Sequence, residues 1–478
     1  MKNISIIQPG EFQRKNHWYP QALDAKIHPE IKKFFELSAE DLVRIYQENH
    51  PFAKAEVLMN LIHTRPQYFK WAGCDLISTV QSQGEKKMVV IETNSCPSGQ
   101  KSMPLLYEQN PLGGYKTVIE NAFCDVVGSL PKSDGSLAVL YDKNYVENSG
   151  YAQVIANVFQ EPVYLVEWKN TETPSPVRYS QNRMEICIAE NEWIPLRAAY
   201  RYITQKPWNR LRSNTKTLLF NPIVVDIAGG RNKIMAHAAY TEFNEKHALD
   251  GIKIELPKTE INVPKNDIPA LFQKFHKEIV VKIPYSNAGQ GVFTILNEKE
   301  LDDFMKIPGI YDCYLVQELI AAPTEIRKSQ MDRIFHTGFV NQDDQHLYAF
   351  DIRMMVCNTS KGLRPAAIYG RKAHNDLESE LVQSMKSWDV YGTNLSIKLA
   401  ENSWDSDTSR LCLMSEEDFP SFNLNMNQWV ESYFQTIFSV LAIDDLSEQI
   451  LLPNKSLDLK KILSVNNDRK LVNEIEME

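Results

Sequence analysis

Between residues 105 and 220 helix and strand take turns along the chain, and no other feature of the sequence restricts its topology as strongly. A helix is expected around YKTVIENAFCDVVGSL, a strand at LAVLYD, a second helix at SGYAQVIANVFQ, and strands at PVYLVEW and MEICIAE. Parallel neighbours cannot be joined by a tight turn; they need a long crossover, which a helix fills. The alternation therefore predicts a parallel sheet with crossover helices, a small Rossmann-like domain.

The flanks follow other patterns. Residues 20–70 read as helices, namely HPEIKKFFEL, SAEDLVRIYQ with Ser38 as N-cap and Asp41 three residues on, and FAKAEVLMNLIHTRPQYF. LISTV and KKMVVIE, separated by the polar SQGEK, read as an antiparallel hairpin. Beyond residue 220 come a helix at KIMAHAAYTEFN, strands at EIVVKIPY and VFTIL around a glycine-bearing loop, a helix at LDDFMKI and a strand at YLVQELI. HLYAFDIRMMVCN and GLRPAAIYGRKA are two long strands expected to pair. The last stretch offers one amphipathic helix, NQWVESYFQTIFSVLAI, and a charged end expected to fray. A chain of 478 residues usually divides into two or three domains, and the pattern changes suggest boundaries near 105, 220 and 400.

Charge and cysteine usage exclude several classes. A net charge of -9 disfavours a nucleic-acid binder, which works by neutralising phosphates. Seven cysteines, odd in number and without a CxxC pair, read as reduced thiols of a cytoplasmic protein. The ten histidines show no paired metal-binding spacing. The opening MKNISIIQPGEF is too short and too soon broken for a signal sequence, and no run has the length of a membrane span.

Three stretches carry candidate chemistry. In KKMVVIETN, Glu92 and Asn94 lie two apart and share one face of a strand, where Val, Ile or Leu is the usual choice. With Asp75 in WAGCDLI they offer the hard oxygen ligands that Mg2+ prefers, although carboxylates at a solvated strand end would look similar. In VVKIPYSNAGQGVFTI, Lys282 and a loop tipped by Gly289 and Gly291 can lay a cation and backbone N–H groups over phosphates, or form an ordinary glycine turn. In DIRMM, Asp351 and Arg353 share one face of a strand and Arg371 follows on the next strand, which also fits an ion-pair ladder. Asn394 in YGTNLS is equally consistent with turn chemistry alone.

Taken together, these motifs resemble the ATP-grasp superfamily of ADP-forming carboxylate–amine ligases over roughly residues 55–400. WAGCDLI with VVIETNSCPSG is similar to that family's metal-ligand segment, VVKIPYSNAGQGVFTI to its phosphate loop, and VQELI to its hinge strand. The metal-ligand segment is usually last in the family, whereas here it comes first. That rotated order resembles the circularly permuted glutathione synthetases of eukaryotes, as does TLLFNPIVVDIAGGRNKIMAH with Lys233, and as does the arginine-bearing WIPLRAAYRYI. The loop departs from that branch in having Asn287 and Ala288 in place of further glycine and a glutamate metal ligand.

The resemblance implies a mixed α+β and α/β fold in which two subdomains grip ATP, with the Rossmann-like domain at 106–220 inserted to hold a substrate. On that basis residues 1–105 carry the metal part, 221–400 the nucleotide part and 401–478 a helical extension that covers the site or supports a homodimer. ATP and Mg2+ are the implied cofactors. Asp75, Glu92 and Asn94 would hold the metal, Lys233 and Lys282 the phosphates, and Ser286, Asn287, Gly289, Gln290 and Gly291 would cover them. Gln317, Glu318, Leu319 and Ile320 would hold adenine and ribose; Arg353, Arg371 and Asn394 would act on the γ-phosphate and an acylphosphate. The implied substrates are an amino acid or small peptide, with neither nucleic acid nor membrane involved. A ligase that adds an amino acid to a protein carboxylate and a non-catalytic nucleotide-binding regulator are the alternatives.

Overall fold

Strand β1 (Ile4–Ile7) and four helices, Pro20–Asp24, Pro29–Phe35, Ala39–Asn49 and Ala55–His63, lead into a hairpin of β2 (Trp71–Gln81) and β3 (Lys86–Asn94). This computed structural model describes residues 3–81, 84–169, 174–205, 208–286, 289, 291–330, 333–381, 385–400 and 403–476. As expected, the Ser38 hydroxyl caps its helix, accepting from the Asp41 backbone N–H at 3.0 Å. The chain continues through β4 (Ser136–Tyr141), β5 (Val163–Glu167), β6 (Val177–Ser180), β7 (Arg183–Ala189), β8 (Glu192–Tyr202) and β9 (Leu218–Phe220). Then come β10 (Thr259–Pro264), β11 (Ile279–Lys282), β12 (Val292–Ile295) and β13 (Cys313–Glu318), and finally β14 (Ile334–His336), β15 (Phe339–Val340), β16 (Leu347–Thr359) and β17 (Gly362–Asp376).

The segment from 105 to 220 is parallel only in part. Strand β4 lies between β5 and β8 and runs parallel to both, and one crossover helix, Tyr145–Phe159, joins β4 to β5. From β5 the chain reaches β8 by an antiparallel ribbon, so MEICIAE pairs antiparallel with both β6 and β8. The reason lies in the turns. Gln181 and Asn182, between paired Ser180 and Arg183, both have positive φ, at 50° and 64°. That is the hairpin turn matched to strand twist, and here it is written with Gln-Asn rather than the usual Asn-Gly.

Two more sheets complete the structure. Four strands in the order β10-β13-β11-β12 form one. In the other, β2 sits between β14 and β16, with β17 beyond β16 and β3 also on β2. The early hairpin and the late strands thus build one surface, although Asp75 and its neighbour Arg353 are 278 positions apart.

The C-terminal region departs from expectation. Helix Met426–Gln449 is buried on nearly every side rather than amphipathic. Its polar residues look solvent-facing in sequence because their hydroxyls satisfy themselves locally: Ser432, Thr436, Ser439 and Ser447 each donate to the carbonyl four residues back. Asp444 of this helix accepts the backbone N–H groups of Gln67, Tyr68 and Phe69 at 2.7–2.8 Å, which anchors the entry to β2. The charged end folds into two helices, Leu459–Val465 and Arg469–Glu476, instead of fraying. Asp468 between them is fully buried and accepts the N–H groups of Asp312 and Cys313 at the start of β13.

A buried ion pair locks the site's supports together. Arg201 on β8 forms a two-point pair with Asp226 at 2.7 and 2.8 Å, both residues being inaccessible to solvent, and the Ser95 hydroxyl also donates to Asp226. Asp226→Ala is expected to destabilise the protein by about 3–5 kcal/mol, because it leaves an arginine charge buried without its partner. Urea denaturation of the variant beside the parent measures that difference.

Candidate active site

A row of charged side chains crosses the large sheet where hydrophobic ones would be ordinary. Arg353 on β16 pairs in register with Asp75 on β2, and Asp75 with Glu92 on β3. Asp351 and Arg371 are direct partners on β16 and β17. Directly opposed residues share a face, so all five project from the same side. The pairing of β2 with β3 shifts after Asp75, since Leu76 faces Val90, and this leaves Ile91 as the extra residue of a bulge. The Ile91 carbonyl accepts a hydrogen bond from Lys282 Nζ at 3.1 Å. Gly73 belongs to the same design, for a Cβ there would come within 2.5 Å of Pro97 and 3.3 Å of Arg353.

Lysines arrive from the other side. Lys282 ends β11, and Lys233 opens helix Lys233–Lys246, whose first N–H donates to the carbonyl of Pro284 just past β11. Lys233 Nζ lies 3.4 Å from Glu92 Oε1 and donates to the Ser286 hydroxyl at 2.9 Å. Burial pushes the Lys282 ammonium down to about 8, against the opposing pull of Glu92.

The arginines are held by carboxylates. Arg353 grips Asp75 with two hydrogen bonds of 2.6 and 2.7 Å, and Arg371 grips Asp351 at 2.8 and 2.5 Å while reaching Asp75 at 2.9 Å. Burial would raise Asp75, but the two guanidiniums outweigh it and hold the carboxyl at about 2. Asp351 is raised by burial in spite of Arg371, with Asp75 adding to the rise. Asn94 donates to Asp75 at 3.4 Å. Glu92, by contrast, is about 29% exposed and has the Lys233 contact as its ion pair.

All of these groups line one cavity of about 490 Å³, together with Gly289, Gln317, Glu318, Leu319, Ile320 and Asn394. Ser286 is buried beside it through Lys233, and Gly291 adjoins Ile283 with φ of 70°. Asn287 and Gln290 lie outside the described residues, so the structure says nothing of their placement. Gly289, at φ of 73°, is where a Cβ would meet the Asn394 amide at 2.8 Å. Asn394 also accepts the Ser396 N–H at 2.9 Å, so it does serve as a turn residue while lining the cavity. Glu318 is buried and raised by that burial; its Oε1 makes no hydrogen bond but is ion-paired with Arg333 at 3.4 Å.

The sequence reading did not single out several lining residues. Tyr369 donates to the Ser98 carbonyl at 2.8 Å beside Arg353, and Lys143, Lys101 and Arg231 occupy the end nearest the mixed sheet. Lys143 lies two residues past β4, and its position beyond the carboxyl end of a parallel strand was the available signal. Among the described lining residues seven are lysine or arginine and five are acidic, so the cavity is locally positive in a chain of net charge -9. Such a pit suits an anionic ligand. Cys96 also lines it, but burial raises its thiol and it donates to the Arg201 carbonyl at 3.3 Å, which makes it a poor nucleophile. All seven cysteines are free, and no helix among the described residues is long and apolar enough to cross a membrane.

No protein-family model matches the chain, and no curated protein matches it. Solved structures do. A RimK domain ATP-grasp protein from Sphaerobacter thermophilus is 13% identical with a TM-score of 0.29, over 49% of this chain and 90% of its own. A glutathione synthetase-like effector from Globodera pallida is 10% identical with a TM-score of 0.39, over 77% and 87%. D-alanyl-alanine synthetase A from Vibrio cholerae is 13% identical with a TM-score of 0.30, over 49% and 87%. The solved structures that the chain is similar to are ATP-grasp proteins.

Proposed function

We propose that this chain is an ATP-dependent ligase that joins a carboxylate to an amine through an acylphosphate, releasing ADP and phosphate. One observation carries the reading: oxygen donors on β2 and β3, beside the arginines of β16 and β17, face the lysines of β11 and helix Lys233–Lys246 in a single positive cavity. The volume of about 490 Å³ lies in the range of small-molecule sites, which favours metabolite substrates over a protein acceptor. In this reading the placement of the metal segment ahead of the lysines is a circular permutation of the family's order.

The donor set fits a hard divalent cation at Glu92 and Asn94. Glu92 is partly exposed to the cavity, and Asn94 supplies an amide oxygen two residues on. Asp75 fits less well, since its two oxygens are committed to Arg353 and Arg371, and its role is to hold those guanidiniums on the cavity wall. Magnesium bound there would neutralise charge on the phosphate oxygens.

The remaining roles follow from position. Lys233 and Lys282 neutralise phosphate oxygens, and Glu318, held by Arg333 at 3.4 Å, offers a carboxylate oxygen to a ribose hydroxyl. Arg371 and Arg353 present cations to the transferring group and to the acid that attacks it. Gly289, which lines the cavity beside Asn394, helps to shield the acylphosphate from water. Incubation with Mg-ATP, an acid panel and hydroxylamine should give ADP together with a hydroxamate. ATP consumed without any acid, or AMP as the product, would overturn the reading.

Lys282 makes nucleotide affinity depend on pH. Its ammonium is depressed to about 8, so the binding-competent charge is present below that value and disappears as pH rises through it. ATP affinity, measured by titration calorimetry, should fall about tenfold between pH 7 and pH 9.5, and Lys282→Arg, whose charge persists, should flatten the profile.

A further inference from the structure

The end of the cavity remote from Gln317–Ile320 belongs to the mixed sheet. Parallel strands β4 and β8 are neighbours there, and the chain leaves β4 for β5 on the opposite side. A crevice outside the carboxyl ends of two such strands is where open sheets bind ligands. Both strand ends open on the cavity, β4 through Lys143 and Asn144 and β8 through Tyr202.

The charge at this end is one-sided. The ionisable groups Lys101, Lys143 and Arg231 line it, while the neighbouring carboxylates are already engaged. Asp142 accepts from the backbone of Thr204 and Gln205 and from Arg210, at 2.6–2.9 Å. Glu147 accepts from the Ser98 hydroxyl and from the N–H groups of Gly99 and Gln100, at 2.8–3.1 Å. Lys101 rests over the Tyr19 ring and donates to Asn144. Among the described residues, the Lys143 ammonium has neither a hydrogen bond nor an ion pair, although residues on both sides of it are pinned. Burial, reinforced by Arg231, depresses it to about 8. A half-buried lysine whose ammonium opens on the cavity, with no carboxylate among the described residues free to pair with it, is a ready partner for an anionic group of a ligand.

Building on the ligase reading, we infer that this end is an anion subsite and that the acid taken up is dicarboxylic, its second carboxylate docking on Lys143. Lys143 is then the residue that sets substrate specificity, while the first carboxylate points toward Arg353.

The test is calorimetric, on the full chain with Mg-AMPPNP. Succinate, glutarate and L-glutamate are compared with their monoamides succinamate, glutaramate and L-glutamine. At least one diacid should bind about tenfold more tightly than its monoamide; Lys143→Met should erase the difference without weakening AMPPNP, and Lys143→Arg should restore most of it. Equal binding of diacid and monoamide, no binding of either, or a preference that survives Lys143→Met overturns the inference. AMPPNP binding read in the same experiment separates the two levels: if it persists without a diacid preference only the subsite fails, and if it is absent the ligase reading falls as well.

Discussion

Glu92→Gln is expected to reduce ADP release by about 10³-fold while the protein stays folded. The carboxylate projects from the end of β3 toward the cavity, is about 29% exposed, and has as its ion pair the 3.4 Å contact with Lys233. Replacing it with an amide of the same shape removes no packing; because Lys233 is buried and Lys282 also leans on this carboxylate, part of the stability is lost, but the core that holds the fold is untouched. The chemistry loses much more. An anionic oxygen that can bind a cation becomes a neutral amide, so charge on the phosphoryl oxygens goes uncompensated when the γ-phosphate moves. An ADP assay beside a thermal melt checks both halves, and turnover like the parent's in a folded variant would remove the metal assignment.

Arg371→Met should abolish activity for a different reason and should also weaken the fold. Its guanidinium binds Asp351 at two points and touches Asp75 at 2.9 Å, with all three residues buried. Without it Asp351 loses its guanidinium beside Asp75, which keeps only Arg353, and the loss should be about 3–5 kcal/mol. The double variant Asp351→Asn with Arg371→Met should recover much of that stability, because the excess negative charge is gone. It should recover no ligation, because the cation is gone as well. If activity returns with stability in the double variant, Arg371 acts only as a structural pair.

Much of this arrangement was legible in sequence because its signals are local. A period of two put Glu92 with Asn94 and Asp351 with Arg353 on common faces, and the structure shows those strands in register. The bulge at Ile91, which turns a carbonyl toward Lys282, was not legible, because it depends on the register of two strands. The antiparallel ribbon of β6 to β8 was missed because Gln181-Asn182 is an uncommon spelling of its turn. Helix Met426–Gln449 read as amphipathic because a hydroxyl bonded to its own helix is indistinguishable in sequence from one bonded to water. Lys143 had one local signal, its place just past a parallel strand, and that signal does not separate it from other loop lysines. Its meaning comes from neighbouring carboxylates being already occupied, which only three-dimensional contacts reveal.

A crystal structure of the full chain with Mg-AMPPNP tests the central claim most directly. The account predicts one triphosphate between Lys233 and Lys282 on one side and Glu92 and Asn94 on the other, with a metal ion touching the Glu92 carboxylate. A nucleotide bound elsewhere, or a triphosphate in the cavity with its metal away from Glu92, would contradict it.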